Sequence, residues 1–91
     1  MDFSQKVRFS DTLFAQEIDG ETVLLDMTTE NYFGLDAVAT DIWNLLQEGR
    51  SIGETYDALL ESYDVDPEVL ESDLRTFIDG LLQHKLATLQ A

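Results

Sequence analysis

The chain of 91 residues has no cysteine, one histidine and one proline. Without cysteine it forms no disulfide, no thiolate metal site and no cysteine nucleophile, and a single histidine excludes a multi-histidine metal centre within one chain. No apolar run comes near the roughly 20 residues of a membrane-spanning helix, and residues 1–6 lack the basic and apolar regions of a signal peptide. The sequence therefore predicts a cytoplasmic protein that holds no metal and no other cofactor.

Positive charge is scarce, because 5 lysine and arginine residues stand against 19 aspartate and glutamate residues, for a net charge of −14. Nucleic-acid binding requires a basic footprint that so few residues do not supply, and an anionic membrane surface would repel the chain. A basic peptide or the basic face of a protein would be attracted. The same charge also keeps a small protein soluble, so we predict only that the partner is neither nucleic acid nor membrane.

Catalytic motifs are also missing. The sequence contains no P-loop, no G-x-G-x-x-G, no G-x-S-x-G and no H-E-x-x-H motif. His84 falls at the predicted end of a helix, where a cation favours the helix dipole. Glu71-Ser72-Asp73-Leu74 has the wrong residue order for the phosphopantetheine site of an acyl carrier protein. We therefore predict that the chain is not an enzyme, and an acidic carrier or scaffold protein is the alternative to a binding module.

The first third of the chain predicts a β-hairpin in a single domain of residues 1–91. Asp19-Gly20 separates two β-prone runs, residues 13–18 and 21–25, and favours a two-residue type I′ loop. That loop pairs Ile18 with Glu21 and gives one mostly apolar face, as a sheet packed on a core requires. The apolar face carries Phe14, Ile18, Val23 and Leu25, and the opposite face carries Glu17, Thr22 and Asp26.

A short third strand and three helices follow the hairpin. Residues 31–35 are β-prone and too few for anything but an edge or near-edge strand. The helices are predicted from their start signals, which are Asp36, the capping box Ser51-x-x-Glu54, and Asp66 followed by Pro67. Gly49 is expected to end the first helix, and residues 85–89 form a tail that returns toward the sheet. This order predicts an α+β domain with a winged-helix-like arrangement.

The third predicted helix has an apolar arc wider than one core face needs. Leu70, Leu74, Phe77 and Leu81 form its stripe, and Ile78 extends the arc. Either the helix is buried on two sides, or part of the arc lines an apolar groove with charged lips beside the third strand. An extended peptide could bind such a groove by adding a strand to the sheet.

Several runs of the sequence are similar to the PqqD-like family, which supplies the recognition element for ribosomally synthesised, modified peptides. The resemblance extends over roughly residues 13–89, and its motif is degenerate in residue identity but specific in order and spacing. The runs that carry it are Leu24-Leu25-Asp26, residues 31–39, Ile42-Trp43-Asn44-Leu45-Leu46, Tyr63-Asp64-Val65-Asp66, Asp73-Leu74, Phe77-Ile78 and Leu86-Ala87. It implies a winged-helix-like domain of three strands and three helices. Such a domain binds the leader of a precursor peptide as an added strand, beside the third strand and flanked by the third helix.

The resemblance also implies partners and binding residues. We expect a stand-alone protein that is more similar to the discrete leader-binding proteins of lasso peptide pathways than to PqqD of quinone-cofactor biosynthesis. A PqqD-type peptide chaperone of that pathway, or of another pathway of ribosomally synthesised peptides, remains the alternative. The implied partners are the precursor leader peptide, a separate leader peptidase and a macrocyclase. Asp73 and Glu30 are the expected contacts for basic leader residues. The full expected peptide-binding set is Glu30, Asn31, Tyr32, Phe33, Gly34, Leu35, Leu70, Asp73, Leu74, Phe77 and Ile78.

Overall fold

A three-stranded antiparallel sheet followed by three helices forms the body of the protein. The computed structural model describes residues 2–90. Its elements are β1 (Lys6–Phe9), β2 (Leu13–Ile18), β3 (Glu21–Asp26), β4 (Tyr32–Leu35), α1 (Ala37–Gln47), α2 (Ile52–Ser62), α3 (Pro67–Gln83) and β5 (Ala87–Gln90). The sheet has the order β2-β3-β4, and β1 and β5 form a separate two-stranded ribbon. The predicted α+β fold class is confirmed.

The hairpin of β2 and β3 has the predicted register. Ile18 pairs with Glu21, and the pairing continues to Leu13 opposite Asp26. Asp19 and Gly20 have φ values of 52° and 81°, as both central residues of a type I′ turn require. The two-residue loop therefore determines the register of the hairpin.

The buried face of the sheet is the opposite of the expected one. Leu24 is fully buried and Asp26 is 5% exposed, whereas Phe14 and Ile18 are 55% and 49% exposed. The helices cover the face that carries Leu24. The expectation was wrong because the alternation of side chains along a strand does not decide which face a later segment covers. The other face, here called the outer sheet face, carries Phe14, Ile18, Val23, Leu25 and Tyr32.

Local side-chain caps begin the three helices at the predicted residues. Asp36 accepts a hydrogen bond from the backbone N–H of Ala39 at 2.8 Å, and Ser51 and Glu54 form the predicted capping box. Asp66 accepts from the backbone N–H of Glu68 at 2.8 Å, with Pro67 in the first turn. Each cap satisfies a backbone donor that has no partner within its helix.

The C-terminal tail was expected to return toward the three-stranded sheet, but it does not join that sheet. It forms β5, which pairs antiparallel with β1, so that Lys6 lies opposite Gln90 and Phe9 opposite Ala87. Strand β1 is not among the strands predicted from the sequence. Its four residues are too few to show a clear alternation of apolar and polar side chains, and its partner strand lies at the other end of the chain. The ribbon packs on α1, where the rings of Phe9 and Trp43 lie 4.3 Å apart.

The core lies between the sheet and the helices. Fully buried side chains come from every helix and from β3; the largest are Leu24, Ile42, Leu46, Ile52, Leu59, Leu74 and Ile78. Within residues 2–90, no helix combines the length and the apolar character needed to cross a membrane.

Candidate functional site

The free edge of β4 is the first component of the site. Among the strands of residues 2–90, β3 pairs with one edge of β4 and none pairs with the other. The backbone N–H of Asp26 donates to the carbonyl of Asn31 at 2.9 Å. Since hydrogen-bonded pairs alternate along an antiparallel ladder, Phe33 and Leu35 bond to β3. The N–H and C=O groups of Tyr32 and Gly34 therefore point to the free edge.

An apolar cavity of about 270 Å³ lies between β4 and α3, and we call it the central cavity. Phe33 projects toward α3, where its ring centre lies 5.4 Å from that of His84. Phe77 is only partly buried, so its ring is accessible in the cavity. The lining residues are Leu24, Phe33, Gly34, Leu35, Thr76, Phe77, Gly80, Leu81, His84 and Leu86.

A second cavity, of about 300 Å³, lies between α3 and the start of α1, and together with the central cavity it forms what we call the groove. We call it the acidic cavity, because Asp36 and Asp73 line it together with apolar residues of α1. Thr76 and Phe77 line both cavities. The groove therefore changes along α3 from an acidic end at Asp73 to an apolar end at His84.

The structure brings together five of the expected binding residues around the two cavities, namely Phe33, Gly34, Leu35 and Phe77 and, at the acidic end, Asp73. Tyr32 lies on the outer sheet face and is 75% exposed. Glu30 and Asn31 are exposed in the turn before β4 and line neither cavity. Leu70, Leu74 and Ile78 are 2% exposed or less, so they lie in the core beneath the groove.

The expected binding set missed six residues that line the central cavity, namely the apolar Leu24, Leu81 and Leu86 and three further residues along α3. Thr76, Gly80 and His84 are spaced four residues apart and so lie along one face of α3. They are not strongly apolar, and a search for an apolar stripe passes over them. The edge of α3 that carries Asp73, rather than the edge that carries Leu82, forms the wall of the groove.

A hydrogen-bonded turn positions the start of β4. The carboxylate of Asp26 accepts hydrogen bonds from the backbone N–H of Thr28 at 3.0 Å and the hydroxyls of Thr29 at 2.9 Å and Thr12 at 3.2 Å. The bond from the Thr28 backbone, assisted by the two hydroxyls, lowers the pKa of Asp26, and burial opposes this effect. Ionised Asp26 thus joins the end of β3 to the turn that leads into β4.

We expect the contribution of Asp26 to stability to depend on pH. Because its pKa is lowered on folding, the contribution is complete above the ordinary carboxyl value of about 3.9 and is lost as pH falls through the lowered value. The difference in unfolding free energy between the wild type and Asp26→Asn should therefore be constant from about pH 7 to pH 5 and shrink in stronger acid. Urea denaturation across this range measures it, and a difference independent of pH would contradict the assignment.

No group of three or more potential metal-ligating side chains occurs within residues 2–90. The arrangement consists instead of an unpaired strand edge, two joined cavities and a partly exposed aromatic ring. These are the components by which a protein binds an extended peptide.

The family model for coenzyme PQQ synthesis protein D (PqqD) matches residues 21–87. The chain belongs to the PqqD family. The matched region includes β3, β4 and all three helices, so both walls of the groove lie within it. No curated protein sequence matches this PqqD-family chain.

Two solved structures are similar to this PqqD-family protein. One is TbiB1 in complex with the TbiA(beta) leader peptide, with 44% identity, a TM-score of 0.80, and coverage of 88% of this chain and 93% of that chain. The other is a lasso peptide synthetase B1 complexed with the leader peptide, with 24% identity, a TM-score of 0.82, and coverage of 91% and 98%. At 24% identity, the synthetase B1 comparison shows similarity of fold alone. At 44% identity, the TbiB1 comparison shows similarity of both fold and sequence.

Proposed function

We propose that this protein binds the leader segment of a lasso-type precursor peptide as an added strand on β4 and presents it to a separate leader peptidase. The free edge of β4 beside the central cavity is the observation that carries the proposal. The 44% identical relative, solved with a leader peptide, supports it. The protein acts by delivery and performs no bond chemistry, and a macrocyclase is a further proposed partner.

Main-chain hydrogen bonds supply the general affinity for the leader. The N–H and C=O groups of Tyr32 and Gly34 on the free edge match the spacing of an incoming strand. Alternate leader side chains then point toward α3 and enter the central cavity, against Phe33, Phe77 and His84. Apolar leader side chains therefore fit this part of the groove.

The acidic cavity supplies selectivity by charge. Asp73 is exposed at its mouth, and the Asp36 carboxylate lies across it. A lysine or arginine of the leader at this end gains a charge-assisted contact. Glu30 adds negative charge at the turn before β4, outside the cavities. Leu70, Leu74 and Ile78 support α3 from the core and do not contact the leader.

The outer sheet face is the proposed contact for the peptidase. Phe14, Ile18 and Tyr32 are 55%, 49% and 75% exposed, and Val23 and Leu25 lie between them. Gln16 and Glu21 lie on the same face beside Ile18, and exposed apolar surface bordered by polar residues marks a protein–protein contact. Since β4 contributes both to this face and to the groove, a bound leader lies at the rim of the peptidase contact.

A binding titration tests the leader assignment. The ligand is a fluorescein-labelled synthetic leader of the precursor encoded beside this protein, with the TbiA(beta) leader peptide and a PQQ precursor as comparisons. We expect saturable binding to the first, about 30-fold weaker binding by Phe77→Ser, where a central anchor is lost, and weaker binding at high salt.

Val69→Ser is the matched control, because Val69 is an exposed apolar residue of the same helix outside both cavities. It should bind the leader as the wild type does, and circular dichroism shows whether both variants are folded. Absence of binding by folded wild-type protein refutes the proposal. Tight binding to the PQQ precursor alone would assign the protein to the quinone-cofactor pathway instead.

A further inference from the structure

A third cavity is lined by two basic side chains, and one of them belongs to Lys85, the residue that follows His84 of the central cavity. It has a volume of about 250 Å³. The backbone N–H of Ser10 donates to the carbonyl of Leu86 at 2.8 Å and so joins the walls of the two cavities. The lining residues of this cationic cavity are Arg8, Phe9, Ser10, Asp11, Lys85, Ala87 and Thr88.

The cationic cavity concentrates the little positive charge that the chain has. Two of the five basic residues, Arg50 and Arg75, form ion pairs with Glu48 and Glu71. Within residues 2–90, Arg8 and Lys85 form no salt bridge. Asp11 is the acidic residue that lines the cavity, so the two cations exceed the anion there. In a chain of net charge −14, this is a local positive site that the protein's own carboxylates do not neutralise.

The backbone at Lys85 is unusual for a lysine. Lys85 has φ 59° and follows the C-terminal cap of α3, where its N–H donates to the carbonyl of Leu82 at 3.1 Å and that of Leu86 donates to Leu81 at 2.9 Å. This is a Schellman motif, whose left-handed residue is usually glycine because glycine has no Cβ to clash. The lysine side chain therefore occupies a backbone position that glycine would adopt at lower cost.

We propose that the cationic cavity binds a carboxylate of the leader segment that passes His84, and that this contact fixes the direction in which the leader lies on β4. The inference rests on the proposed function. Asp73 and Lys85 are separated by roughly 18 Å along α3 at the rise of an α-helix, a distance that an extended strand spans in about five or six residues. A leader with a basic and an acidic residue at that spacing fits one orientation, and in the reverse orientation each charge meets its like.

The test uses Arg8→Gln, Lys85→Gly and the double variant, titrated with the same labelled leader and with peptides in which each Asp or Glu is replaced in turn by Asn or Gln. We expect the double variant to bind the unmodified leader about tenfold more weakly. The loss should shrink at about 1 M NaCl, where the Debye length is about 3 Å. For one peptide, lacking the relevant carboxylate, wild type and double variant should bind equally.

Lys85→Gly separates a binding role from a structural one. Glycine relieves the left-handed backbone, so the variant should unfold at a higher temperature than the wild type while it binds the leader more weakly. Lys6→Gln is the matched control, because Lys6 lies on the same strand as Arg8 but outside the cavity. It should leave the affinity for the leader unchanged.

The inference is overturned if the double variant binds the leader as tightly as the wild type, or if the leader has no acidic residue. A loss that appears only when the peptidase is present would assign the cavity to the peptidase and also overturn it. If the proposed function itself is wrong, the wild-type protein does not bind the leader. That result is distinct from the outcomes above, in all of which the wild type binds.

Discussion

Gly34→Pro should weaken leader binding about 100-fold and leave the domain folded. The N–H of Gly34 points to the free edge of β4, while Phe33 and Leu35 bond to β3. Proline removes this donor, and its ring obstructs the incoming strand. Proline is tolerated at an edge strand where the missing N–H would face away from the sheet, so the β3–β4 ladder is unaffected.

Gly34→Ala is the control for this prediction. A Cβ at position 34 meets no atom within 4 Å, and alanine keeps the N–H group. We expect its affinity to lie within about threefold of the wild type, since a single methyl group on an open face changes little. Fluorescence anisotropy measures the affinities and thermal unfolding shows that both variants are folded. A folded Gly34→Pro variant with unchanged affinity would exclude strand addition at this edge.

Phe14→Thr combined with Ile18→Thr should reduce leader cleavage by the partner peptidase about 30-fold and leave leader affinity unchanged. Both side chains are about half exposed on the outer sheet face. Complete burial of a fully exposed side chain of this size contributes about 1.5–3 kcal/mol. Because each of the two is half exposed, their loss together removes about 1.5–3 kcal/mol of docking free energy, and about 2 kcal/mol corresponds to a 30-fold change. Threonine favours the strand conformation, and the β2–β3 register is determined by the Asp19-Gly20 turn.

Two measurements separate docking from leader binding in this variant. Anisotropy with the labelled leader should give the wild-type affinity, because Phe14 and Ile18 line neither the central nor the acidic cavity. Cleavage of the full precursor, followed by mass spectrometry, should be nearly lost. Val65→Thr combined with Val69→Thr replaces two other exposed apolar residues and should leave cleavage intact. A normal cleavage rate for the Phe14 and Ile18 variant would place the peptidase elsewhere.

The family resemblance and the local features were predictable because their signals lie close together in the chain. Asp19-Gly20 requires backbone angles that only a primed turn supplies, and the turn then determines the β2–β3 register. Asp36, Ser51 and Asp66 cap helices through hydrogen bonds that span two or three residues. The runs similar to the PqqD family lie mostly within the matched residues 21–87.

Which of Phe77 and Ile78 on α3 is accessible in the groove could not be predicted from periodicity. Periodicity placed Phe77 in the apolar stripe and Ile78 at its extension, and the expected binding set contained both, but Ile78 is fully buried and Phe77 lines the cavities. The two residues are neighbours on one wide apolar arc. Only the position of β4 relative to α3 decides which of them remains accessible.

Four features follow from the amino-acid sequence alone, because each depends on short-range geometry or on residue identity: the fold class, the hairpin register, the helix starts and the family. The tertiary structure alone decided that the helices cover the Leu24 face of the sheet, that β5 pairs with β1, and that Thr76, Gly80 and His84 line the groove. These features arise when segments distant in the chain pack together. A strand or helix with apolar residues on more than one side has several ways to be buried, and only its neighbours select one.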